Sequence, residues 1–405
     1  MRTVKKEFAK NTFYSVGGYI LMIVSSLVFS FYAARALGPI AYGIFTPFFY
    51  LLISFTQPIN SIQLALAKEV QREKMTAAEA NTKYSSTLFL FSLTALVLFG
   101  AASPFLQTFY RLPNLWDGII GGGVLAVWII LNAYRGIDIG KMNFKGYGIN
   151  IAVEGFLRAG IGILLIAFGF GISGALGVSI VSGLIGIMMI VLPDFKNVVR
   201  NFFKFRLDKK LVIEFIKALV ILLPFGLIMN LDLMMIQNTV GGTEAGYISA
   251  CALFGKNMIS LVLVFANVIF SYTLHDKKDT FWVGVMLTIL LFMGAVFFSI
   301  FAAVPVINLI FGPGYEPVAD YLPWYLIATI PVAILQHIVT YSVAKNFRFM
   351  RPLMWVILAG LGVGYWYILS VYPVITFLKA SFFGLTLIDG ILLFVIYLVL
   401  RKETK

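Results

Sequence analysis

FWVGVMLTILLFMGAVFFSIFAAV, residues 281–304, runs for 24 residues without a charged side chain. As a helix with a rise of 1.5 Å per residue it is about 36 Å long, enough to cross a hydrocarbon layer of about 30 Å. Lipid offers the backbone no hydrogen-bond partner, so a segment this long and this uniformly apolar must satisfy itself as a helix; it is too long for a barrel strand. Working outward, similar blocks fall at roughly 12–36, 41–66, 84–107, 118–137, 149–170, 172–192, 211–238, 244–273, 318–344, 352–371 and 380–400. The 405 residues are 60% hydrophobic and 12% charged, whereas soluble domains carry about 25% charged residues. The expected class is an all-α polytopic membrane protein with about twelve transmembrane helices.

The net charge of +13 would point to nucleic acid in a soluble chain. Here the basic residues sit in short loops, and assigning alternate loops to one side collects 26 of the 31 Lys and Arg. Arg35, Arg111 and Lys379 fall on the other side, and Arg158 and Lys256 inside spans. By the positive-inside rule the basic side is cytoplasmic, so both termini are expected there, in a multi-pass protein of the cell membrane surrounded by lipid. No nucleic-acid partner is expected. Arg2 to Lys10 and the apolar run after them resemble a secretory signal, but the run exceeds the usual 7–15 residues and reads as an uncleaved first helix.

Cys251 is the only cysteine, so no disulfide forms within these residues and no cysteine-based metal site exists; His275 and His337 are the only histidines. No cofactor or metal is expected, and the chain reads as a transporter, not an enzyme.

The most basic loop, about 193–217, falls mid-chain, as a linker between halves would. Leu37-Gly38-Pro39-Ile40-Ala41-Tyr42-Gly43 aligns with Val240-Gly241-Gly242-Thr243-Glu244-Ala245-Gly246 at an offset of 203, and Pro104 aligns with Pro305 at 201. The expectation is two pseudo-symmetric six-helix lobes, residues 1–200 and 201–405, in the same orientation, with a substrate path between them.

Gly169-Phe170-Gly171-Ile172-Ser173-Gly174 matches a dinucleotide fingerprint, yet it lies between two apolar spans where a tight hairpin explains it. Gly136 to Lys141 is one residue short of a phosphate loop and lacks the following Ser or Thr, so no nucleotide motor is encoded.

Charges inside spans carry more information: Glu154 and Arg158 in the fifth, Asp232 in the seventh, Lys256 in the eighth and Asp389 in the twelfth. Each costs about 2.5–3.5 kcal/mol at mid-membrane, on the order of 12–17 kcal/mol for five facing lipid. They must therefore face one another or water. Glu154 and Arg158 are i,i+4 neighbours able to pair locally, and Asp232 and Lys256 lie at depths that let adjacent helices join them. Structural ion pairs and a hydrated path are both open readings. In the second span Thr56, Gln57, Asn60, Ser61 and Gln63 form a polar run broken by Pro58, either lining a cavity or satisfying a kink. Lys256, Ser260 and Asn267 share a face of the eighth. Ser179-xxx-Gly183 and Ser182-xxx-Gly186 read as close helix packing, His337 as a packing residue, and His275 to Asp279 as a solvated turn.

Asn11-Thr12-Phe13, Ala34-Arg35-Ala36-Leu37-Gly38-Pro39 and Tyr42-Gly43-Ile44-Phe45 resemble the polysaccharide-biosynthesis flippases of the multidrug/oligosaccharidyl-lipid/polysaccharide (MOP) superfamily. Leu231-Asp232 to Glu244-Ala245-Gly246-Tyr247 and Leu309-Ile310-Phe311-Gly312-Pro313-Gly314-Tyr315 are similar to that family's later segments, so the likeness covers nearly the whole chain. The resemblance implies a MATE-like fold and the flipping of a polyprenyl-diphosphate-linked oligosaccharide to the outer leaflet by alternating access. It also implies glycan polymerases or glycosyltransferases as partners. On that reading Arg158 and Lys256, with Gln57 and Asn60, line the substrate path, and Arg35 the outer exit. Glu154, Asp232 and Asp389 supply counter-charge or cation coupling. A cation-coupled drug antiporter of the same superfamily is the alternative within transport. A membrane glycosyltransferase or polymerase is the remote one, since Glu316 and Asp320 are the only nearby acidic pair outside.

Overall fold

The computed structural model describes the backbone at 2–273, 279–345, 347 and 349–403, and side chains at 14–262, 281–342, 345, 347 and 349–398. His275, Lys277, Lys278, Arg348 and the side chain of Asn267 lie outside the described residues. Among those described, regular structure is entirely helical, and the chain divides into two compact units, Met1–Gly226 and Leu227–Lys405.

The first unit contains α1 (Arg2–Ser54), α2 (Thr56–Glu73), α3 (Ala77–Tyr110), α4 (Leu115–Gly140), α5 (Phe144–Ala167), α6 (Gly171–Val191), a short 3-10 turn (Leu192–Asp194), α7 (Phe195–Phe202) and most of α8 (Lys209–Ile228). Helix α1 is two crossings. Gly38, with φ 70° and ψ 171°, breaks it, a left-handed conformation that a Cβ would penalise. Phe29 and Phe45, 16 residues apart, would be about 24 Å apart on a straight helix, yet their ring centroids are 6.3 Å apart. The chain doubles back. Eleven helical stretches are long and apolar enough to span a membrane, and the first, Tyr14–Glu73, has 60 residues; resolved at Gly38, they make the expected twelve crossings.

The boundary between α1 and α2 falls just ahead of Pro58, which sits in the first turn of α2, where its missing N–H costs little. Hydroxyls of Ser54, Thr56 and Ser61 bond back to the carbonyls of Tyr50, Ile53 and Pro58 at 2.9, 2.6 and 2.6 Å. Two of the five residues of the second span's polar run, Thr56 and Ser61, thus serve the bend. Residues 169–174 form the α5–α6 hairpin, with Gly169 and Gly171 at positive φ. Helix α3 opens on a capping box: Thr76 N–H donates to Glu79 at 2.7 Å, and Glu79 N–H to the Thr76 hydroxyl at 3.2 Å; such caps contribute about 1 kcal/mol.

The second unit contains α9 (Leu231–Thr239), α10 (Gly242–Thr273), α11 (Asp279–Ile310), α12 (Val318–Ala344), α13 (Met350–Val371) and α14 (Val374–Glu403). The expected seventh span, 211–238, is not continuous: it breaks at Met229–Asn230, between α8 and α9. Ile259, Phe292, Ala333 and Leu385, from α10, α11, α12 and α14, are buried together in one apolar core. Gly241 repeats what Gly38 does at the aligned position, with φ 66°. Pro104 and Pro305 likewise both lie within a helix, close to the ends of α3 and α11. The two halves thus share local backbone devices at matching positions.

Candidate functional site

Polar side chains from five helices of the first unit converge around Glu154. Its carboxylate lies 3.7 Å from Arg158 on the next turn of α5, and equally 3.7 Å from Arg135 of α4. Arg135 donates through Nε to Asn150 Oδ1 at 2.8 Å, and Asn150 Nδ2 donates to the carbonyl of Gly186 in α6 at 2.8 Å. Arg158 donates to the Ser26 hydroxyl of α1 at 3.1 Å. Gln63 of α2 donates to the Tyr147 hydroxyl at 3.3 Å, which is 2.8 Å from that of Tyr19. Ser182, expected only to ease packing, donates to Glu154 at 3.4 Å.

Arg135, counted among the 26 basic-side loop residues although it falls near the end of the 118–137 block, is not in a loop. Helix α4 continues to Gly140, and Arg135 is 6% exposed. Its neighbour Gly136 makes this burial possible: a Cβ there would meet the backbone of Gln63, 2.8 Å from its Cα. Two guanidinium groups therefore share one carboxylate. Asp138, a turn further along α4, takes its hydrogen bond from Asn143 at 3.0 Å instead. Along α5 the cluster runs inward: Glu154 stands about 15 Å and Arg158 about 21 Å from the end of the helix at Phe144. The side chain of Arg158 keeps 15% of its surface open, against 4% for Glu154.

In the second unit, the broken helix determines the arrangement. The Lys256 ammonium on α10 donates to the Met229 carbonyl at the break, and to Asp232 at 3.0 and 3.2 Å. Asp232 also accepts from the Tyr325 hydroxyl of α12 at 2.7 Å. A break at membrane depth requires such partners, because nothing in lipid replaces the helix's own N–H groups. Beside Asp232 lies a small cavity of about 10 Å³, lined by Tyr325, Thr329, Tyr365 and Ser381 among others, on the order of the room one water needs.

Asp389 is different. It lies on α14, two turns beyond the cavity-lining Ser381, is 4% exposed, and neither carboxyl oxygen has a partner among the described residues. His337 is fully buried, with Nε2 2.8 Å from the Thr288 hydroxyl, which fits the packing role expected of it. Gln57 is half-buried and Asn60 exposed on α2, and Arg35 is exposed beside the Gly38 turn. The Glu154–Arg158 and Asp232–Lys256 pairs thus form as spacing and depth suggested, while Arg35, Gln57 and Asn60 belong to neither cluster.

No family model matches the sequence, and no curated relative is similar to it. Solved structures share the fold. The lipid II flippase MurJ, in an inward closed conformation, matches with a TM-score of 0.65 and 13% identity, over 96% of this chain and 93% of its own. A multidrug resistance MATE family transporter of the MOP superfamily, facing outward, matches with a TM-score of 0.58 and 15% identity, over 98% of this chain and 95% of its own. The inward-facing conformation of such a transporter gives 0.53 and 14%, over 92% and 95%. At these identities the likeness is one of fold, and it extends over nearly the whole chain.

Proposed function

We propose that the protein is a flippase, moving an oligosaccharide linked to polyprenyl diphosphate from the cytoplasmic to the outer leaflet of the cell membrane by alternating access, with both termini cytoplasmic. The observation that carries this reading is the pair of arginines on one glutamate. Two guanidinium groups contact a single carboxylate, with Asp138 acting on Arg135 only at longer range, and a buried positive charge is costly until it gains a counter-ion. A diphosphate is a suitable one, because guanidinium forks match phosphate oxygens and remain ionised at any physiological pH. Arg158, further than Glu154 from the Phe144 end of α5 and partly open, is the group that meets the substrate; Arg135 balances Glu154. Arg35 serves the outer exit, Gln57 and Asn60 the sugar path, and Lys256 is held ready by Asp232. The fold shared with MurJ, a flippase of lipid II, supports the same class of cargo.

The test is flipping of a labelled polyprenyl-diphosphate oligosaccharide in proteoliposomes. Arg158→Ala should lower the rate by at least about 10²-fold with reconstitution intact, the loss of roughly 3 kcal/mol expected for a charge-assisted phosphate contact. Wild-type flipping by that variant would overturn the assignment.

One observation favours a second reading, cation-coupled antiport of small molecules: the buried carboxyl of Asp389, which has no partner among the described residues and is a group able to take up and release a cation. That reading predicts substrate-induced proton or sodium flux that disappears in Asp389→Asn. Flux unchanged in that variant removes Asp389 from coupling.

A further inference from the structure

We infer that the segment joining α6 to α8, residues 192–208, is a binding site for anionic phospholipid headgroups on the basic side of the membrane. Helix α7 has two faces. Val198, 1% exposed, and Phe202 pack inward, while Lys196 and Arg200, an i,i+4 pair, stand on the opposite face, and both are exposed. Lys204 and Arg206 follow, also exposed, and none of the four forms an ion pair among the described residues. Of the nearby acids, Asp208 accepts from the Leu211 N–H at 3.0 Å, capping α8, and Glu69 pairs with Lys210; Asp194, inside the segment, forms no ion pair with the four cations among the described residues, which leaves the segment with an excess of positive charge.

The segment is held in place. Arg206 N–H donates to the Ser86 hydroxyl at 2.7 Å, Asp208 N–H to the Thr87 hydroxyl at 2.8 Å, and that hydroxyl donates to the Arg206 carbonyl at 3.2 Å. Phe89 of α3 stacks on Phe202 at 5.5 Å and contacts Phe203 and Phe205 at 5.7 and 6.2 Å. Phe205, at φ 48°, takes a left-handed turn that these contacts hold.

Alternating with the cations are Leu192, Phe195, Phe203, Phe205 and Leu207, 42–65% exposed. A soluble anion gives those side chains nothing to cover them. A headgroup layer does, taking rings and aliphatic stems at the acyl boundary and cations at the phosphates. The segment also begins where the apolar run of α6 ends, at Val191, and ends where that of α8 begins, which puts it at the membrane surface.

The test uses the purified full chain offered equal amounts of phosphatidylglycerol and phosphatidylcholine, with retained lipid counted by native mass spectrometry. Wild type should retain phosphatidylglycerol preferentially, and less so at high salt. The variant Lys196→Gln/Arg200→Gln/Lys204→Gln/Arg206→Gln should lose roughly tenfold or more of that preference. Lys141→Gln/Lys145→Gln, on another loop of the same side, should keep it. Equal preference in the four-residue variant, equal loss in the two-residue control, or displacement of the lipid by inorganic phosphate would each overturn the inference. A second measurement is independent of the multiple substitution: Phe203→Cys carrying a polarity-sensitive dye should shift to the blue in vesicles containing phosphatidylglycerol but not in phosphatidylcholine alone. Cys251 is buried, so the label is site-specific. The same spectrum in both vesicles would also overturn the inference.

Discussion

In the first unit Arg135 and Arg158 converge on Glu154, each at 3.7 Å, beyond direct hydrogen-bonding distance, with amides and hydroxyls completing their shells. In the second unit Lys256 is matched one to one by Asp232 at 3.0 Å, and its remaining capacity goes to a backbone carbonyl at a helix break. The first cluster is loose and over-supplied with cation. The second is tight and closed on itself. Units that share local sequence devices, a repeated glycine turn and a repeated proline, thus carry different charge clusters: two guanidinium groups on one carboxylate in the first, one ammonium on one carboxylate in the second.

Three substitutions sharpen this contrast. The largest effect is expected at Glu154→Gln, which leaves two buried cations facing each other; breaking a buried pair costs about 3–5 kcal/mol, so thermal unfolding in detergent should drop markedly. An unchanged melting temperature would mean that the arginines are stabilised without Glu154. Lys256→Met should cost less, about 1–3 kcal/mol, because Asp232 retains the Tyr325 hydroxyl and the adjoining cavity. Adding Asp232→Leu should recover part of the loss, and a double-mutant cycle showing no coupling would contradict the closed pair.

The smallest effect concerns a charge outside the spans. Its own backbone N–H and that of Gly314 hold the Glu316 carboxyl below its ordinary value of 4.5. A depressed carboxylate contributes stability that is present above the ordinary value and is lost as pH falls through the lower, folded-state value. Wild type should therefore lose a small increment over Glu316→Gln only on acidification below about pH 4.5, read as converging melting temperatures; a constant difference down to pH 3 would remove the loop's contribution.

Much of the candidate site was legible because a charge inside an apolar block has few explanations. Glu154 and Arg158 are one helical turn apart, and Asp232 and Lys256 flank a short turn, so local geometry allowed pairing as one of two open readings. Arg135 was hidden by its position. A cation near the end of a span reads as the start of a loop, and hydropathy falls there whether or not the helix continues. Gly136 and Gly140, spaced for close packing like the serine and glycine pairs of α6, were the available signal. The break at Met229–Asn230 was only weakly marked: Asn230 and Asp232 interrupt the apolar run there, and Pro224 lies more than a turn earlier.

The amino-acid sequence by itself determined the all-helical class, the long apolar segments and the residues able to carry charge inside them, because a bilayer leaves a long apolar segment one conformation. Tertiary structure alone decided which charges meet. Helices α4 and α5 must pack before Arg135 finds Glu154, a helix must break before Lys256 finds the Met229 carbonyl, and Asp389 is buried with no partner among the described residues.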